Sequence, residues 1–329
     1  MLTTAQYDLL RPDLVLAGVW DTIVKESPIT QRLPMKTVNN EIIKYNLELT
    51  MPTVSWLQPG DLIPENTGTI EQRTTNLYEL IGDADTDKFK IATNPLQNPE
   101  SLDISAKAKA MAHAFELAFI MGQTTTASSS KEFKGLMRIL AEFESASTTD
   151  LDGLNNSQVI PGHATSAALT MAMLDELVDA VKPGKPDCLL MSRRMNRKVT
   201  SLQRASGSGV VMIKSEEFGL TMPGYDGIPI YESDWLPDNI QDGASSVLAV
   251  ANYNQATARA SGYDNSIIFA LKIGEEDVTG LQARVITHER ETFVSNKNVI
   301  RNRFAWYPSL MCKKKFSLAA LINVLDTAL

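Results

Sequence analysis

Between residues 41 and 91 the chain spells out a long β-hairpin with nothing of its own to lie on. Ile43, Tyr45, Leu47 and Leu49 alternate with Lys44, Asn46, Glu48 and Thr50, the period of two that gives a strand one apolar face. Gln58-Pro59-Gly60-Asp61 is a turn signal, and Glu65-Asn66-Thr67-Gly68 is a second. Residues 69–80, rich in threonine, form the returning strand, and the irregular tip carries Trp56, Leu57, Leu62 and Ile63. A two-stranded hairpin is marginal in water, because it has no third strand or helix to bury its apolar face. Something must cover this one, either its own domain or another subunit. Periodicity does not choose between them.

The remaining chain alternates helical and extended patterns. Leu9, Leu10, Leu14, Val15, Val19, Trp20 and Ile23 suggest a short amphipathic helix. Ser27-Pro28-Ile29 and Leu33-Pro34-Met35 then break it into an extended arm, since proline removes a donor and restricts its neighbour. Such an arm can lie on its own domain or reach a neighbour. Residues 103–122 form the clearest helix, with Ile104, Ala108, Met111, Phe115, Ala118 and Gly122 at helical spacing and Lys107, Lys109 and Glu116 on other faces. At 1.5 Å per residue it spans roughly 30 Å. Residues 124–130 read as a loop. A helix over 165–181, a buried strand at Cys188-Leu189-Leu190-Met191 and a helix over 193–204 capped by Ser192 follow. Short strands are expected at 210–213, 228–231 and 247–252, and extended patterning from residue 281 ends on Leu318, Leu321, Ile322 and Leu325.

Chemistry is sparse. Of 329 residues, 43% are hydrophobic and 21% charged, ordinary for a chain with a real core of about two domains. The net charge of -8 argues against a protein built to grip nucleic-acid phosphate. Cys188 and Cys312 lack metal-ligand spacing and cannot staple so long a chain, so they read as buried thiols made in a reducing compartment. No signal peptide is evident, and no run approaches the roughly 18 apolar residues of a membrane span. His113 reads as a solvated helix-face residue, and His288-Glu289 lacks the second histidine of a zinc-protease helix. Asp83-Ala84-Asp85-Thr86-Asp87 resembles the start of a calcium loop, but Lys88 replaces the glycine and Asn94 the closing glutamate, so a solvated acidic turn is the better reading. Gly207-Ser208-Gly209 follows a helix rather than a strand, which leaves nucleotide binding unsupported. Arg193, Arg194, Arg197, Lys198 and Arg204 make a basic helix. With no aromatic platform beside it, it reads as a solvated face or a partner for acids such as Glu275-Glu276-Asp277. No catalytic residues, cofactor or metal are expected.

The order of elements carries more information than any motif. Glu26-Ser27-Pro28-Ile29 in the arm, the hairpin over 42–91, the helix over 104–121, and residues 174–204 with Pro186-Asp187-Cys188-Leu189-Leu190-Met191 stand in sequence, followed by Gly227-Ile228-Pro229-Ile230-Tyr231-Glu232-Ser233-Asp234. In that order they resemble the tailed-phage major capsid proteins of the Hong Kong 97-like fold, an α+β architecture. The resemblance implies an N-terminal arm (1–40), an extended loop that lies across an adjacent subunit (41–91) and a peripheral domain (92–160) with a spine helix over 103–122. It further implies an axial domain (161–271) and a return to the peripheral domain (272–329).

Function would then be structural: self-assembly into pentamers and hexamers of an icosahedral virion shell around double-stranded DNA, in the host cytoplasm. The implied partners are copies of the chain itself, a portal, a separate scaffold or assembly protein and, optionally, a decoration protein; DNA is enclosed without specific binding, and no membrane is involved. Trp56, Leu57, Leu62 and Ile63 would be interfacial. Some members of that family carry a loop lysine that forms an isopeptide cross-link. Between Lys44 and Lys88 this chain has no lysine, so no covalent mesh is expected. No long charged helical region precedes the arm, which is why the assembly factor is expected to be separate. Competing readings are an encapsulin-type compartment with enzyme cargo, a soluble enzyme with an unrecognised site, and a receptor-binding or tail protein, whose usual β-rich repeats are not seen here.

Overall fold

A computed structural model describes residues 29, 32–50, 52, 54–63, 65, 67–93, 98–123, 131–144, 158–206, 212–214, 221–241 and 263–326. The amphipathic opening, the loop at 124–130, the Gly207-Ser208-Gly209 run and the strand expected at 247–252 lie outside these residues, as does Val210.

The largest element is a mixed nine-stranded sheet. Along its main path run Val159–Pro161, Leu318–Leu325, Tyr263–Leu271, Cys188–Met191, Ile228–Glu232, Thr221–Tyr225 and Met212–Lys214, with Ala167–Ala168 and Ile240–Gln241 paired beside it. Cys188-Leu189-Leu190-Met191 is apolar throughout because both faces of this sheet are covered. Cys188 and Leu190 belong to one core cluster, Leu189 and Met191 to the other. The same alternation splits Leu318–Leu325, whose eight residues are all buried. One face is covered by the helices Met171–Ala180 and Arg193–Ala205, which supply Leu174, Leu177, Met195 and Val199. Ser192 caps the second through its Oγ, which accepts from the Met195 amide at 3.4 Å.

The other core cluster is centred on the long helix Pro99–Met121. Asn98 caps it by accepting from the Glu100 amide, and Pro99 occupies the first turn, where a missing N–H costs nothing. Phe115 packs 4.6 Å from Trp306 and 5.6 Å from Phe133 between ring centroids. This helix covers one face of a three-stranded sheet, Thr287–Glu291, Val299–Trp306 and Leu80–Asp87. A second three-stranded sheet joins Met35–Thr37, Val278–Gln282 and Pro308–Cys312. Ile29 and Leu33 are buried in the main cluster, so the described part of the arm lies on its own chain.

Several expectations are corrected. The hairpin comprises Ile42–Thr50 and Thr69–Asn76 only. Residues 80–87 leave it to pair with Val299–Trp306, and Lys88–Thr93 is helical. The acidic turn at Asp83–Asp87 is therefore a strand, stabilised by cross-strand arginines that lie over 200 residues away in sequence. The helix expected over 165–181 starts only at Met171, capped by Thr170, because Ala167–Ala168 is drawn into the large sheet beside Val324 and Leu325. Glu116 is buried rather than on an open helix face. Leu318–Leu325 pairs with Tyr263–Leu271 at the heart of the large sheet.

Candidate assembly interface

The hairpin leaves the body from a pinned base. Thr75, buried, donates its hydroxyl proton to the Leu310 carbonyl at 3.2 Å, and the Ser309 hydroxyl donates to the Asn76 carbonyl at 2.7 Å. The Leu77 amide closes the two strands onto the Glu41 carbonyl at 2.9 Å, and the Val38 amide ties the approach to Gln282. One step outward, Arg73 donates to the Glu142 carbonyl at 2.8 Å. The Glu142 carboxylate also takes Lys134 at 2.8 Å and Arg138 at 3.0 Å, so it is a fixed anchor on the body.

Beyond Arg73 the hairpin runs on to its tip. At the tip Gly60, with φ +101°, turns the chain at the sequence's first turn signal, while the Gln58 amide donates to the Asp61 carboxylate and the Asp61 amide to the Gln58 carbonyl. Of the side chains expected at an interface, Trp56 is 103% exposed, Leu62 94%, Ile63 79% and Leu57 43%, and Val54 joins them at 95%. The structure thus brings all four expected residues to the hairpin tip, Trp56, Leu62 and Ile63 largely exposed and Leu57 partly so. For tryptophan and two large aliphatics together this is costly, at about 25 cal/mol for each Å² of apolar surface left in water.

Other candidates resolve into structural roles. His113 lies edge-on to Trp235, His163 bonds Thr165, and His288 stacks on Phe304 and meets Asn302 at 2.9 Å. These are three separate places, and no His/Cys/Asp/Glu group fit for a metal occurs among the described residues. Burial raises both thiols, Cys312 to about 12. In the basic helix Arg194 is buried, donating to the Asp264 carbonyl at 2.6 Å and to the Asp326 carboxylate at 2.7 Å. The acid that it meets is Asp326, while Glu276 and Asp277 pair with Lys313 and Lys314.

The residues that hold the hairpin, Arg73, Thr75, Glu142 and Ser309, gave no sequence signal, because their partners are 69 to 235 positions apart. The charge ladder on the small sheet did have one. Asp83 and Asp85 alternate on one strand, Arg301 and Arg303 on another, and the register sets Arg303 between Asp83 and Glu289, and Arg301 between Asp85 and Glu291. Two-pronged hydrogen bonds from Arg303 and Arg301 hold Asp83 and Asp85 below the ordinary carboxylate value of 3.8.

No protein-family model and no curated protein matches the sequence. Solved structures do. The chain is similar to the holo-SrpI encapsulin complex from Synechococcus elongatus PCC 7942, with a TM-score of 0.62 at 16% identity over 91% of this chain and 88% of that one. It is similar to the capsid of a native GTA particle, with TM-score 0.61 and 14% identity over 92% and 90%. It is also similar to the capsid of cyanophage A-1(L), with TM-score 0.59 and 13% identity over 91% and 93%. The chain has the α+β Hong Kong 97-like fold, matched over 91–92% of its length.

Proposed function

We propose that this chain is a major capsid protein, a structural subunit that assembles with copies of itself into an icosahedral viral shell. The observation that carries the reading is the pinned hairpin with an uncovered apolar tip. Such a projection gains its partner in a neighbouring subunit, and a contact between unlike surfaces repeats into rings of five or six. Each contact can be modest, because a shell holds every subunit through many neighbours at once. Trp56, Leu57, Leu62 and Ile63 act as the interface anchors, a role for which large apolar and aromatic groups suit.

The acidic balance of the chain fits a shell that encloses DNA without holding it. A portal and a separate assembly factor complete the scheme. The second reading, an encapsulin-type compartment, is favoured by the likeness to the SrpI complex. Electron microscopy of the purified protein at rising concentration tests the shell: closed particles are expected, and a lone monomer at every concentration overturns it. Particle contents separate the two readings, DNA for a virion and a packaged protein for a compartment. Assembled particles boiled in detergent are expected to give a single monomer band, as no lysine lies between Lys44 and Lys88; covalent ladders would refute this.

A further inference from the structure

The helix Arg193–Ala205 carries a surface that the shell reading leaves unused. Arg193, Arg197, Thr200 and Arg204 recur at spacings of four, three and four, so they form one stripe along the helix. The opposite side buries Met195 and Val199 against the large sheet. All three arginines of the stripe are exposed, and Arg193 and Arg204 meet no acid among the described residues. Arg197 stands 3.7 Å from Asp326, but Arg194 already holds that carboxylate at 2.7 Å, and the Arg197 side chain is 76% exposed. At 1.5 Å per residue the stripe covers roughly 16 Å, the axial length of about five base pairs of a duplex.

Two occupants suit such a stripe: an acidic face on another copy, or the phosphate backbone of a nucleic acid. The helix Met171–Ala180, on the same face of the sheet, exposes Asp175, Glu176 and Asp179 and would be the protein partner. A contact between copies is built around an apolar centre that excludes water. None of the large exposed apolar side chains lies on either helix. Phosphate recognition requires no such centre, only guanidinium forks spaced along a solvated face. The helix also carries no aromatic residue on which an unpaired base could stack, so the contact is to the backbone of a duplex.

We infer that the stripe of Arg193, Arg197 and Arg204 is a weak, sequence-independent binding site for double-stranded nucleic acid. The net charge of -8 does not oppose this, because beyond a Debye length of about 8–10 Å the acids elsewhere on the chain are screened. Three contacts per copy are too few to grip DNA singly, and they add up only where many copies face the same duplex.

Titration of the purified full chain into a short labelled DNA duplex, followed by fluorescence anisotropy, tests the site. The readout requires no particles, so it is decided separately from the shell reading. Three phosphate contacts predict a log–log salt slope of about −2.7, which is about a fortyfold loss of affinity between 50 and 200 mM salt. R193A/R204A is expected to reduce the slope to about −0.9 and the affinity at 50 mM salt by about tenfold or more, with circular dichroism and melting unchanged. K88A/K90A removes equal charge from another element and is expected to bind as wild type does. Absence of wild-type binding at low salt, a wild-type slope in R193A/R204A, or equal losses in the two variants overturns the inference. So does an R193A/R204A chain that binds DNA normally but assembles poorly, which would give the stripe to another copy.

Discussion

The strand Leu318–Leu325 and the hairpin strand Ile42–Thr50 are of similar length and both rich in branched apolar residues, yet their fates are opposite. The first has neighbours on both edges and a core on both faces, and all eight of its residues are buried. The second pairs with one strand among the described residues, and the hairpin that it builds ends in Trp56, Leu62 and Ile63 in water. What differs is the supply of partners within one chain. A segment satisfied internally sets the stability of the monomer; one that is not sets what the monomer does next.

Substitutions should divide along that line. Phe269→Ala, in the strand beside Leu318–Leu325, is expected to destabilise the monomer by about 3–5 kcal/mol in a denaturant titration. Loss of under 1 kcal/mol would mean that this sheet is not the stabilising core. Trp56→Ala is expected to leave the monomer's melting temperature unchanged while weakening each inter-copy contact by about 2 kcal/mol, read as particle yield; an unchanged yield removes the hairpin from the interface.

At the border between the two regions, Thr75→Val removes the hydroxyl that anchors the hairpin base, costing about 1 kcal/mol. Faster amide exchange in Thr69–Asn76 than in the large sheet is the expected signature, and equal change in both would dissolve the distinction. The smallest effect belongs to the ladder. Asp83 and Asp85 titrate below their unfolded value, so their contribution is complete above about pH 4 and is lost as pH falls through the lowered values. D83N/D85N should therefore lower stability modestly at neutral pH, change little at pH below the lowered values, and so flatten the acid limb of the stability curve; an identical acid limb would show the ladder to be idle.

How much of this was legible beforehand follows the range of the interactions. The buried strand at Cys188–Met191, the Ser192 cap, the turn at Gly60 and the exposed tip residues rest on neighbours within a few positions. The departure of Leu80–Asp87 from the hairpin was not legible, because Arg301 and Arg303 decide it from over 200 residues away. The start of the helix at Met171 was hidden for the same reason, as Ala167–Ala168 answers to Val324 and Leu325.

By itself, then, the order of residues determined periodicity, caps and turns, and with them the existence of a hairpin with an apolar tip. Only the tertiary structure decided where that hairpin is anchored, at Thr75, Arg73 and Glu142, and which charged strand was never part of it. The reason is that local patterns record each residue's preference for water or core, whereas strand pairing and ion pairing depend on partners that only the folded chain brings within reach.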